Sequence, residues 1–507
     1  MTPRARGASR DGGAKGTKKA GGAAKAVVPP AAPRVGDLRV ERDPLGPVQV
    51  PAEALYGAQT QRAVENFPIS GLGPLPSLVT ALVQIKRAAA QTHRATGRLD
   101  AKRANAIVRA ADEVLGGAHT QHFVVDVYQA GAGTSLNMNV NEVLANRANE
   151  LLGGSRGTGL PVHPNDHVNM AQSTNDVIPT AMRLAVLAEM TRLAATLGRL
   201  RATLAGKAAE FDGIVKAGRT HLQDAMPIRL GQEFGAWAAT IERCIRRVGD
   251  AAEYLRDLGI GGSAVGTGVN VEPDYPNRMV AALREATGLQ LRVGGNRVQL
   301  MQSMGDFAAF SAALRVIAID LSKIASDLRL LASGPRTGLN EIRLPAVQPG
   351  SSIMPGKVNP SIPEMVNQVC YQVIGNDTTV VLAAEHGQLE LNVMMPVIAH
   401  NVLFSMRILT SAMDVLEARC VTGITADADQ AAVWVERSAA LATALAPHIG
   451  YARAAELAKE SVRTGETIRA LAHRLKVLPD EQLDRVLDLA RMTEIGVPGQ
   501  DRKNKNK

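Results

Sequence analysis

Apolar side chains recur at alternating spacings of three and four along one stretch of the chain: Phe307, Phe310, Leu314, Ile317, Leu321, Ile324, Leu328 and Leu331. Such a heptad-like seam describes a long helix packed along one face, because a strand would alternate with a period of two. Two further seams repeat the pattern, Leu184, Leu187, Met190, Leu193, Leu197, Leu200 and Leu204, then Val402, Met406, Leu409, Met413 and Leu416. Long helices of this kind call for antiparallel partners in a bundle. The remaining faces of these stretches are rich in Ala and sparse in charge, which predicts close packing on more than one side, as where a bundle also forms a subunit interface. The expected architecture is mainly all-α, a long central helix bundle with smaller N- and C-terminal domains, assembled as an oligomer.

The text around the seams sets the expected boundaries. Residues 1–34 hold eight Lys or Arg and one acid, and residues 501–507 hold four Lys or Arg and one acid, in Gly-, Ala-, Lys- and Asn-rich text without apolar periodicity. Both are expected to be disordered basic tails. Between them the expected units are an N-terminal domain over 35–174, the central bundle over 175–429 with a loop at 350–360, and a small C-terminal helical domain over 430–500. The formal net charge is +9, yet removing both tails leaves 45 basic and 46 acidic residues. The basicity is therefore a property of the tails, and no specific nucleic-acid partner is expected of the body. No apolar run approaches the ~18 to 20 residues that span a bilayer, and the N-terminus lacks the apolar core of a signal peptide, so neither a membrane nor secretion is expected. The three cysteines, Cys244, Cys370 and Cys420, show no CxxC spacing, which fits neither a disulfide framework nor a thiolate zinc site and suits a reducing cytoplasm.

Four segments interrupt the helical text, 129–141, 163–180, 218–227 and 349–363, all rich in Gly, Ser, Thr, Asn and Pro. Such residues end helices and offer hydrogen bonds, so these are the irregular places where chemistry could gather. In the last, Lys357 and Asn359 supply a cation and an amide suited to a carboxylate. The loop is not a phosphate-binding loop: five residues separate Gly350 from Gly356, where that motif has four, and Val358 lacks the magnesium-binding hydroxyl. Pro363 then falls in the first turn of a helix that puts Cys370 on a buried stripe, a structural rather than nucleophilic position. At Gln172-Ser173-Thr174-Asn175-Asp176 the polar groups fit either ordinary helix caps or an anion site at a helix start. Gly133-Thr134-Ser135 and Thr220-His221 show the same chemistry, and His221 fits either a general acid or base or a packed histidine. His163 and His167 stand four apart, but Pro164 and the Asn165-Asp166 pair disfavour a shared helix face and hence a metal. Gly259 to Gly268 is glycine-rich without the preceding strand of a dinucleotide fingerprint.

At Gly350-Ser351-Ser352-Ile353-Met354-Pro355-Gly356-Lys357-Val358-Asn359-Pro360 the chain resembles the aspartase/fumarase superfamily, whose signature is this loop. The likeness extends in order through Tyr56 to Thr60, Gly131 to Ala148, His163 to Asp176, Gly218 to Glu233, Ser333 to Pro345, Asn376 to Val393 and Pro447 to Glu460, and covers about residues 36–497. Tyr128 to Ser135, Thr174 within Gln172-Ser173-Thr174-Asn175, and Asn376-Asp377-Thr378-Thr379 with Ala384-Glu385 resemble the aspartate ammonia-lyase branch. Gln59 to Pro68 and the turn at His163 to Asp166 are shared or hydratase-like, and Met395 departs from the acidic residue ammonia-lyases often carry before Pro396. The resemblance implies reversible elimination of ammonia from L-aspartate to give fumarate through an aci-carboxylate intermediate. The alternative is a class II fumarate hydratase interconverting fumarate and L-malate. It further implies Ser351 as the base for the Cβ proton and Ser352 with the loop amides around the developing charge. Thr134, Ser173 and Thr174 would hold the β-carboxylate and Lys357 and Asn359 the α-carboxylate. Asn175, Thr220 and His221 would lie near the amino group, with His221 catalytic in the hydratase alternative. The partners implied are a small dicarboxylate and ammonia, with no metal or organic cofactor, and a homotetramer whose active sites are each shared by three subunits.

Overall fold

The computed structural model describes residues 38–500, so both expected tails, 1–34 and 501–507, lie outside the described residues. Asp43 organises the first element pair. Its carboxylate accepts the Leu45 N–H at 2.9 Å and turns β1 (Leu38–Asp43) onto an antiparallel partner, β2 (Gly46–Pro51). Then come α1 (Ala58–Asn66), α2 (Pro76–Ala95), α3 (Ala101–Leu115) and α4 (Thr134–Leu151). Pro76 pre-sets the first turn of α2, and the Asp100 side chain caps α3 by accepting the Arg103 N–H.

The central helices are α5 (Thr174–Glu210), α6 (Leu230–Glu253), α9 (Gly305–Leu331), α10 (Ser361–Glu385) and α11 (Met395–Arg419). The β3 (Val215–Thr220) and β4 (Gln223–Arg229) hairpin joins α5 to α6. Between α6 and α9 lie β5 (Asp257–Leu258), α7 (Tyr275–Thr287), β6 (Arg292–Val293) and the short α8 (Gln299–Gln302). Side-chain contacts fix the helix directions. Arg183, early in α5, reaches Asp306 at the start of α9 (2.7 Å) and the Tyr254 carbonyl just past the end of α6 (2.9 Å). Asp377, late in α10, accepts from Ser311 early in α9 at 2.7 Å, and Asp414, late in α11, accepts from Thr196 of α5 at 2.9 Å. Thus α5, α9 and α11 run one way and α6 and α10 the other. Every residue of the Phe307 to Leu331 seam is buried, as are those of the other two except Met190, which is half-buried.

After α11, β8 (Thr425–Ala426) pairs with β7 (Ile342–Arg343), and α12 (Ala428–Arg437), α13 (Ala442–Ile449), α14 (Tyr451–Thr464), α15 (Ile468–Arg474) and α16 (Asp480–Val486) complete the chain. Residues of α12 to α16 share a second core with Ala217 of β3. The cysteines are unpaired and buried. No helix among the described residues is long and apolar enough to cross a membrane.

Three of the four segments read as irregular carry regular structure. Residues 134–141 are the first turns of α4, because Asn side chains that would compete with a helix locally find tertiary partners instead. Asn139, for example, donates to the His122 carbonyl at 2.9 Å and accepts from Val124 N–H at 3.0 Å. Residues 174–180 are helical although Pro179 removes one N–H from α5. Residues 218–227 form most of the β3–β4 hairpin. Its tip is His221-Leu222, both left-handed at φ 56° and 58°, a conformation that hairpin turns usually assign to Asn or Gly.

Candidate active site

Two helix starts meet at one end of the bundle. The chain enters α4 through left-handed Ala132 and Gly133, the Ala132 N–H donating to the Val393 carbonyl at 2.8 Å. Gly133 is required there, since a Cβ would stand 2.9 Å from Ile178 Cδ1. Thr134 then opens α4 with an exposed hydroxyl. At the start of α5, Ser173 is the N-cap: its Oγ accepts Asn175 N–H at 3.2 Å, while Asp176 accepts Ser173 N–H at 2.9 Å. The capping alternative is therefore realised by Ser173 and Asp176 together. The other oxygen of Asp176 accepts Gly261 and Ser263 N–H groups at 2.9 and 3.0 Å, and Asn175 donates to the Ala264 carbonyl at 2.8 Å. The glycine-rich stretch 259–268 is thus a wall of the α5 start.

Below this start lies polar structure that sequence reading missed. Lys86 of α2 is fully buried and donates to Asn169 Oδ1 at 2.8 Å and Gln172 Oε1 at 3.0 Å. Asn137 donates to that same Asn169 oxygen at 3.3 Å and to Thr174 Oγ1 at 3.2 Å. Burial pushes the Lys86 ammonium down to about 7 and the fully buried Asp176 carboxyl up to about 6, each countered in part by the other's charge. One signal was available: Lys86 is a lone charge on the buried stripe of Leu78, Leu82, Ile85 and Ala89.

The loop at 350–360 is rooted at the other end of the bundle, ahead of α10. Gly350 N–H donates to the Lys357 carbonyl and the Asn359 side-chain amide donates to the Gly350 carbonyl, both at 2.7 Å. Within this closed loop Ser351 Oγ accepts two backbone N–H groups, Ile353 at 3.2 Å and Met354 at 2.9 Å. Ser352 and Lys357 are exposed, as are Thr220 and His221 at the end of the hairpin that follows α5.

One chain therefore gathers Thr134, Ser173, Thr174 and Asn175 but not the rest. The 37 residues of α5, at ~1.5 Å rise each, hold its two ends about 55 Å apart. No hydrogen bond among the described residues links the loop or the hairpin tip to the helix starts. His163 is the extended N-cap of one wide helical turn, Pro164–Val168, which contains His167, and the ring nitrogens of both accept main-chain N–H groups: His167 from His163 at 2.8 Å and His163 from Asp166 at 3.3 Å. Among the described residues no three His, Cys, Asp or Glu side chains group as a metal site.

Hydroxyl-bearing helix starts thus stand at one end of a long-helix bundle and a serine under paired amides at the other. Comparison with known proteins gives the family. Residues 46–375 match the lyase family model and residues 441–494 that of the fumarase C C-terminus. The chain is 48% identical over 463 residues to aspartate ammonia-lyase from Bacillus sp, covering 91% of this chain and 99% of that one. It is 47% identical over 447 residues to class II fumarate hydratase from Ralstonia nicotianae, covering 88% and 97%. The solved fumarate lyase:delta crystallin structure from Brucella melitensis, bound to cobalt, superposes with a TM-score of 0.87 at 51% identity, covering 90% of this chain and all of that one. The chain belongs to the aspartase/fumarase superfamily of lyases.

Proposed function

We propose that the protein is an aspartate ammonia-lyase, with Ser351 as the base that takes the Cβ proton. The observation that carries the chemistry is the pair of backbone N–H groups on Ser351 Oγ. A serine hydroxyl is ordinarily far too weak a base, and donors aimed at its oxygen stabilise the alkoxide; a single preorganised donor of this kind is worth roughly 3 kcal/mol. The Cβ proton passes to Ser351, and the C–H electron pair moves into the β-carboxylate as an aci-carboxylate dianion. Thr134, Ser173 and Thr174, at helix starts whose free N–H groups and dipole favour anions, bind that charge. The pair then returns to form the C=C bond while the C–N pair leaves with ammonia. Lys357 supplies the cation for the α-carboxylate. Asn359 also closes the loop, and Asn175, Thr220 and His221 belong near the amino group.

Because α5 separates the helix starts from the loop, the site needs more than one chain, and we assign it to a homotetramer with each site shared by three subunits. Thr174 and Ser135 favour the ammonia-lyase over the hydratase. The second reading rests on the relative from Ralstonia nicotianae, nearly as similar, and on the turn at His163 to Asp166; in it His221 is catalytic. One assay separates them. With fumarate supplied, aspartate formation that depends on ammonium supports the proposal, and malate formation without ammonium overturns it.

A further inference from the structure

We propose that Lys86 is a positioning residue for the substrate carboxylate, acting through Asn169 and Asn137 to aim the Thr174 hydroxyl. The inference rests on the reading of the α5 start as a carboxylate site. Lys86 is fully buried, yet its hydrogen bonds go to two neutral amide oxygens, those of Asn169 and Gln172. The nearby carboxylate, Asp176, spends its oxygens on the main-chain N–H groups of Ser173, Gly261 and Ser263. An ammonium buried without a hydrogen-bonded carboxylate is costly, and an apolar side chain would fill the same stripe at less cost. What the ammonium supplies is direction. It is a donor only, so Asn169 must turn its oxygen inward to meet it. That oxygen also accepts from Asn137 Nδ2, which fixes the Asn137 amide with its N–H groups toward Asn169 and Thr174. Thr174 Oγ1, accepting from Asn137, keeps its single hydrogen for a group outside the chain. Asn169 Oδ1 thus accepts from both Lys86 and Asn137, and Asn137 in turn donates outward to Thr174 at the helix start.

The test is succinate binding to the intact assembled protein by titration calorimetry, for Lys86→Met, Thr174→Val and the double variant. The relay predicts that each single variant weakens succinate about tenfold and that the double variant is no weaker than Thr174→Val alone, because residues acting on one hydroxyl are not additive. The melting temperature of Lys86→Met is expected to hold or rise, since a buried charge is removed. Thr174→Val with unchanged affinity would overturn the carboxylate-site reading and this inference with it. Thr174→Val weakened, with Lys86→Met unchanged or the two effects adding, would overturn the relay alone. Should Lys86→Met not fold, Asn137→Leu removes the last link of the same chain and is judged by the same cycle.

Discussion

Replacing Gly350 with Ala tests whether the closed loop is what makes Ser351 a base. A Cβ at this position would stand 2.6 Å from the Lys357 carbonyl oxygen and 2.8 Å from the Asn359 N, main-chain atoms that cannot swing aside as a side chain would. The two bonds that close the loop, Gly350 N–H to Lys357 and Asn359 to the Gly350 carbonyl, must then open together. At ~1 kcal/mol net for each hydrogen bond, the competent loop becomes about 2 kcal/mol less favourable. That is a fall of roughly 30-fold in kcat/KM. Asn359→Ala, which breaks only one of the closing bonds, predicts about fivefold from loop opening alone on the same scale, plus whatever its carboxylate contact contributes. The loop is exposed from Ser352 to Val358 and outside the bundle core, so the melting temperature should barely move. Steady-state deamination of aspartate, followed by fumarate absorbance beside a thermal melt, measures both. Gly350→Ala with turnover within threefold of the parent and an unchanged melt would refute the link between loop closure and Ser351.

Other substitutions probe separate parts of the argument. Ser351→Ala should abolish turnover and leave the assembly intact by size-exclusion chromatography; near-normal turnover would remove Ser351 as the base. Glu142 is buried and accepts the N–H groups of Gly57, Gln59 and Thr60 and the Thr60 hydroxyl, so Glu142→Ala strands three main-chain donors as well as that hydroxyl and should cost about 3 kcal/mol or more in denaturant unfolding. His473 has Asp480 on one ring nitrogen at 2.9 Å and Asp484 on the other at 3.2 Å, and the hydrogen bond to Asp480, with that to Asp484, raises its pKa. Both bonds are donated only by the imidazolium, so this stabilisation is complete below the unfolded value of about 6.5 and is lost as pH rises through the higher folded one. His473→Gln should therefore lower the melting temperature at about pH 5.5 and hardly at about pH 9; an equal shift at both would count against the charged clamp.

The bundle was legible because its seams repeat a period that only a packed helix satisfies, and Phe307, Leu314, Leu321 and Leu328 are all buried where that period puts them. The same logic hid other features. Asn137 and Asn139 look like helix breakers until partners from distant segments are in place, and those partners have no local signature. The hairpin tip at His221-Leu222 uses left-handed backbone without Gly or Asn, so no turn chemistry announced it. Lys86 stood out only as one charge on an apolar stripe, and its acceptors, 83 and 86 residues away in sequence, appear only when α2 packs against the approach to α5.

The candidate site was legible through its residue types and its family signature, but its assembly is a consequence of helix length. The seam that identifies α5 also carries the Thr174 end about 55 Å from the loop end, at ~1.5 Å per residue, so better packing of one chain cannot bring Ser351 to Thr174. Antiparallel association of two bundles can, since it sets the start of one α5 beside the far end of another. The outer face of α10 suits such an association. Between Glu364 and Glu385 its one charged residue is the buried Asp377, while Tyr371 and Leu382 stand 61% and 54% exposed. An uncharged helical face of that length is costly to leave in water and is the surface a second copy would cover. On the proposed homotetramer the Ala-rich, charge-poor faces of the bundle and the scattering of the site residues would have one cause: helices that pack against copies of themselves would set the site where their opposite ends meet.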